Sequence, residues 1–235
     1  GAGALQTQNF TTSADNYNVA VGYDSGLSIT TGALNTLVGG LSGDALTTGA
    51  ENVAVGYAAL TSSTTASGNV AIGWGSLLST TTGYANTAVG QSSGGTVTTG
   101  HSNAVLGHNA LDAGTTANSN VAVGKSALST DTVGNRSTAV GTEALFSANF
   151  GTSASVYNVA VGYNAGYGVT TGIHNVLIGS LAGGGFTLTG RDNTCVGHVS
   201  GNSLTSGSNN TFVGHDAGIT GSPGGNFTNS SNSIV

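Results

Sequence analysis

Charge is what this chain has least of. Of its 235 residues only Lys125, Arg136 and Arg191 are basic and nine are acidic, so charged side chains amount to 5%. An ordinary globular domain carries about 25%. A nucleic-acid partner is excluded, because neutralising phosphates takes clustered Lys and Arg. A basic membrane-surface patch is absent as well. No apolar run reaches the roughly 18 residues of a membrane span, which argues against membrane insertion. A single cysteine, Cys195, rules out an intrachain disulfide framework. What the chain does have is glycine, 41 residues of it, with abundant Ser, Thr, Asn and Ala. Such a surface of hydroxyls and amides suits a long-lived extracellular fibre. Gly- and Ser-rich composition also accompanies disorder, but the fixed spacing of Val, Ile and Leu argues against that here.

The segment Asn18-Val19-Ala20-Val21-Gly22 recurs along the chain. Its closing glycine falls at Gly22, Gly39, Gly56, Gly73, Gly90, Gly107, Gly124 and Gly141, at intervals of 17 residues throughout. It then falls at Gly162, Gly179, Gly197 and Gly214, at intervals of 21, 17, 18 and 17. The residue four before the glycine is Asn in eleven of twelve copies, beginning Asn18, Asn35, Asn52, Asn69, Asn86, with Ser137 the exception. One before is always Val, Ile or Leu. Two before is always apolar and mostly Ala: Ala20, Ala54, Ala71, Ala88, Ala122, Ala139, Ala160. Cys195 stands in that column and reads as a small core residue.

Val-Ala-Val between Asn and Gly is a short strand, and the glycine marks a turn that needs positive φ. Seventeen residues cannot fold alone, so the expected fold is all-β: a parallel β-solenoid, or β-roll, with coils of about 17 residues. Like residues then form ladders, the Asn column among them. Residues one and three before the glycine share a strand face, and the residue two before lies opposite. Both faces are apolar, which predicts a strand buried on both sides. A thin coil has one interior. The other face is expected to pack on identical chains in a homotrimer, intertwined or side by side, and the Ala column is assigned to that contact.

The chain reads as one repeat-built fibre segment over 1–235. Regular coils span 18–141 and 158–214, longer coils lie near 2–17 and 142–157, and an irregular turn covers 219–231. The two longer coils match each other at an offset of 140 residues. Their extra residues are expected to protrude as loops bearing Phe10 and Phe150. Gly1 aligns with Gly141, and Asn232-Ser233-Ile234-Val235 reads as a motif without its glycine. The chain is therefore expected to be a section of a longer fibre.

No catalytic set emerges, because the nine carboxylates scatter over different columns. Gly124-Lys125-Ser126 lacks the upstream glycine of a phosphate-binding loop, Ser119 standing there. His198 and His215 share a column with His108, but no third ligand column accompanies them, so no metal and no cofactor are expected. The column after the glycine varies most, and Tyr23, Tyr57, Trp74, Tyr163, His198 and His215 are its candidate glycan or receptor contacts. Thr pairs such as Thr30-Thr31 and Thr98-Thr99 stack at one place. They make good β-ladder material, with an ice-binding solenoid as a minor alternative.

Asn-Val-Ala-Val-Gly followed by Ala or Ser three residues on resembles the head repeat of YadA-like trimeric autotransporter adhesins, a family of trimeric parallel β-rolls. Asn86 to Gly90 and Gly56-Tyr57-Ala58-Ala59-Leu60 resemble the repeat region of phage tail fibres. The segment from Gly221-Ser222-Pro223-Gly224-Gly225-Asn226 to Val235 looks like the stretch before a self-cleaving intramolecular chaperone in such fibres. The resemblance implies a viral tail-fibre shaft involved in host-cell attachment, located in the virion. A bacterial surface adhesin or extracellular matrix filament at the cell surface is the alternative. The partners implied are self, as a homotrimer, and a host surface glycan or receptor.

Overall fold

A computed structural model describes residues 1–8, 15–151, 155–219 and 231–234. The protein is an all-β parallel β-solenoid with coils about 17 residues apart and, among the described residues, no helix. Among those residues no helix is therefore long and apolar enough to cross a membrane. The chain divides into two compact units, Gly1–Asn118 and Ser119–Val235. The first holds β1 (Val19–Val21), β2 (Thr36–Val38), β3 (Val53–Val55), β4 (Val70–Ile72), β5 (Thr87–Val89) and β6 (Ala104–Leu106). The second holds β7 (Val121–Val123), β8 (Thr138–Val140), β9 (Val159–Val161), β10 (Val176–Ile178), β11 (Thr194–Val196) and β12 (Thr211–Val213). Within each unit neighbouring strands pair in chain order, parallel and column on column. Ala54 faces Ala71 and Ala71 faces Ala88. In the second unit Ala139 faces Ala160 across the 21-residue interval, and Leu177 faces Cys195 across the 18-residue one.

The closing glycine is required twice over. Its φ is +133° at Gly90, and a Cβ there would stand 2.7 Å from the carbonyl carbon of Gly107 in the next coil. Beyond it the chain makes tandem four-residue turns, Ser93 N–H to Gly90 at 3.3 Å and Gly95 N–H to Ser92 at 3.2 Å. The third residue of each, Ser92 and Gly94, is left-handed, as a type II turn demands. Three columns of the repeat share this conformation, mostly without glycine, as at Glu51 (φ 60°), Leu60 (59°) and even the β-branched Val199 (61°). Each such residue costs about 1 kcal/mol. Bonds to neighbouring coils hold them there: Leu60 N–H donates to Ser76 of the next coil at 3.0 Å, and Val199 N–H to Ser180 of the preceding one at 2.9 Å.

The interior corrects the expected facing of the strands. Ala54, Ala71, Ala88, Ala122, Ala139 and Ala160 are fully buried inside their own coil, as is Cys195. Ala20, in the first strand, is half-buried. The Ala column is therefore solenoid core and not an interchain contact. It is small at Ala54, Ala71, Ala122 and Ala139 because Leu60, Leu77, Leu128 and Leu145, four residues after the glycine, fill the space beside it. Where the strand residue is large, the partner is glycine. A Cβ on Gly43 would come within 3.0 Å of Leu37, one on Gly183 within 2.7 Å of Leu177, and one on Gly218 within 2.6 Å of Phe212. The two columns share one fixed volume.

The Asn column forms the expected ladder. In the first unit Asn35, Asn52, Asn69, Asn86 and Asn103 each donate backbone and side-chain N–H to the Oδ1 of the preceding Asn, at 2.9–3.2 Å. Each side chain also caps a turn carbonyl at 2.8–3.0 Å, as Asn69 does with Gly83. At the chain end Ser233, and not Asn232, takes the ladder position: its N–H bonds Asn210 Oδ1 at 3.0 Å, and Thr211 bridges Ile234.

The longer coil near 142–157 also departs from expectation. Phe150 is buried, its ring against Gly134, because a phenyl ring gains more from the coil than from water. It is not carried outward on a loop. Phe10 and most of the irregular turn lie outside the described residues.

Candidate functional site

With the Ala column inside, residues one and three before the glycine face outward. Val21, Leu106 and Val213 are at least half exposed, and Val38, Ile72, Val161 and Ile178 are more than a third exposed. Each unit thus presents a row of aliphatic side chains on a bonded, parallel backbone. A free monomer gains nothing from such a row.

The column after the glycine is exposed too. Tyr23, Tyr57, Trp74 and Tyr163 are all more than half accessible, and His198 and His215 are exposed. Side chains in this column lean along the stack. A Cβ on Gly40 would lie 3.5 Å from the Tyr57 ring, and the His198 and His215 rings stack at 5.1 Å and 12°. Within each unit these residues stand as a ridge and not a pocket.

A concave site lies elsewhere, in the second unit, and the sequence reading missed it. Phe146 and Tyr167 occupy one column in adjacent coils and stack at 5.1 Å and 3°. The 18-residue interval that follows inserts residues at Gly183-Gly184-Gly185. In consequence Leu188, and not Phe186, bridges Val169 and enters the core. Phe186 sits where other coils place a core side chain, yet it is 56% exposed. Tyr167 and Phe186, with Ser147, Thr170, Thr187 and the small Gly168, Gly184 and Gly185, line an open groove of about 320 Å³. Aromatic faces flanked by hydroxyls suit a sugar ring, which has an apolar face and a polar rim. The glycine run beside an off-period aromatic is the signal that marks this bulge.

The remaining chemistry is structural. From Thr30 to Thr98 the first Thr of the pair donates its hydroxyl to a carbonyl one coil on, Thr30 to Thr47 at 3.1 Å and Thr98 to Thr115 at 2.9 Å. Burial pushes the Cys195 thiol up to about 12, so it stays protonated and inert. Asp131 is buried, and desolvation raises its carboxyl to about 6 against the pull of the Gly134 and Val133 amides. In the same column Ser63 and Thr80 donate hydroxyls to the next coil, both at 2.9 Å, which an ionised carboxylate cannot do. His198 and His215 do gain a third neighbour, Asp216, which the search for columns of like residues overlooked.

Compared with protein-family models, with curated proteins and with solved structures, the chain matches none.

Proposed function

We propose that this chain is a structural and adhesive fibre segment, without enzymatic activity, whose copies associate through the outward strand face as a homotrimer. The observation that carries this reading is the exposed row of Val, Ile and Leu on β1–β6 and again on β7–β12. Rows of aliphatic side chains on parallel, in-register strands are buried most simply by the same rows of identical chains. The repeat resembles those of viral tail fibres, and the shaft of such a fibre, borne on the virion and serving host attachment, is the role it fits best. A cellular surface adhesin built from the same coils is the second reading. Attachment is assigned to host glycans, bound weakly at each site and strengthened by many coils and chains acting together. The ridge aromatics and the Tyr167–Phe186 groove are the surfaces offered to them.

Analytical ultracentrifugation tests the assembly. The folded chain is expected to sediment as a trimer, and I72D with V89D as a folded monomer with an unchanged circular dichroism spectrum. A wild-type monomer at micromolar concentration defeats the reading. For attachment, Y57S, W74S and Y163S together and F186S alone are compared in glycan-array binding. Loss in one and not the other locates the contact, and retention in both removes these aromatics from it.

A further inference from the structure

The His198 and His215 column ends in an arrangement found at no other histidine. Register between β11 and β12 sets Cys195 opposite Phe212 and Val196 opposite Val213, which brings the two histidines one coil apart. The backbone N–H of Asp216 donates to the carbonyl of His198 at 3.1 Å, tying the two turns together. His215 Nδ1 lies 3.1 Å from an Asp216 carboxylate oxygen, and the two imidazoles stack at 5.1 Å. One ligand atom from each of His198, His215 and Asp216 lies within 4.8 Å of the others.

We propose that these three residues bind a divalent transition-metal ion, Zn²⁺ for the test, and so clamp β11 to β12. Two imidazoles and one carboxylate with open positions are a donor set for zinc and its neighbours. Calcium and magnesium prefer more oxygen ligands. Donor atoms around zinc at bonds of about 2.0–2.1 Å sit closer together than the three do here. Both histidines are exposed and Asp216 is only half-buried, so side-chain rotation out of the ring stack closes the gap without moving the backbone. An imidazole binds metal only when neutral, so affinity falls on acidification. The chain carries its own controls. His108 lies in the same column but is followed by Asn109, and His174 meets Asp192 at 3.2 Å with Tyr157, not a second His, against its ring.

Calorimetric titration of the full chain with ZnCl₂ alone is the test, with thermal melts in zinc and in EDTA. Wild type is expected to bind one ion per chain and to melt higher with zinc than with EDTA. H198A, H215A and D216N should each weaken binding at least about tenfold, the loss that even outer-sphere changes bring to metal sites. H108A and H174A should bind as wild type does, and CaCl₂ should give no heat. Circular dichroism checks each variant; should H215A fail to fold, H198Q reads the same site. An unchanged isotherm in the H198A/H215A double variant overturns the proposal. So does absence of zinc binding in wild type, or one ion per three chains, which would place the metal between chains.

Discussion

The two units are built from one repeat and use it differently. In residues 1–118 the closing glycines keep a 17-residue step from Gly22 to Gly107, and the Asn ladder runs from Asn18 to Asn103 with every rung made. In residues 119–235 the step changes to 21 and to 18. Ser137 interrupts the ladder with a buried hydroxyl that finds no partner, and a carboxylate is buried at Asp131. The aromatic groove and the His198, His215 and Asp216 cluster lie in this second unit as well. A strict repeat brings only like groups together. Unlike groups converge where the period slips or a turn column departs from its consensus, so chemistry collects in the irregular unit at a cost in stability.

That comparison breaks most severely at the core column of the regular unit. A71D places a charge in a fully enclosed interior, and its cost of several kcal/mol should abolish the cooperative thermal transition. V89D, on the outward face, should leave that transition in place. Next in size is N69A, which removes a rung on both sides. It strands the Asn86 amide groups and the Gly83 carbonyl and should cost about 3–5 kcal/mol in denaturant unfolding.

In the irregular unit the same logic predicts gains. Asp131 titrates near 6 when folded and near 3.8 when unfolded, so the native state holds more protons between those values. Stability therefore falls as pH rises from about 4 to about 6 and stays low above, a difference of about 3 kcal/mol. D131N should flatten that slope, melting higher than wild type at pH 7.5 and no higher at pH 4. S137N should restore a ladder oxygen and add about 1 kcal/mol, read as a rise of about 2–4 °C in Tm. V199N relieves a β-branched residue at φ 61° and should add up to about 1 kcal/mol, measured the same way. Equal gains from a ladder change placed in the first unit would erase the distinction between the two.

The columns with one-residue chemistry were legible in the sequence. Asn is fixed because its amide oxygen accepts two N–H groups from the next coil while its NH2 donates both along the stack and to a turn carbonyl, and Gly is fixed by its φ and by the next backbone. Which strand face points inward was not legible from hydropathy, since Ala54 and Val55 are both apolar. Size carried the information. Leu37 with Gly43, Leu177 with Gly183 and Phe212 with Gly218, set against Ala71 with Leu77, describe two columns sharing one interior. The left-handed turns at Leu60 and Val199 were hidden because those residue types disfavour them. The groove was hidden because it depends on which inserted residue the register expels, and Phe150 and Phe186 resolved oppositely.

The register itself bears on how such a gene changes. In the first unit each strand residue pairs in register with its counterpart 17 positions on, as Ala54 does with Ala71 and Ala71 with Ala88. Excision of residues 57–73 would set Asn52 beside Asn86 and leave each column continuous, whereas loss of one residue fewer would leave an 18-residue coil that keeps the strand register only by bulging at a turn, as the chain does at Gly183-Gly184-Gly185. Unequal crossing-over between copies therefore keeps every column unbroken, turns included, only in whole-coil steps. Copy number is free to drift under selection, while the spelling of a single coil is not.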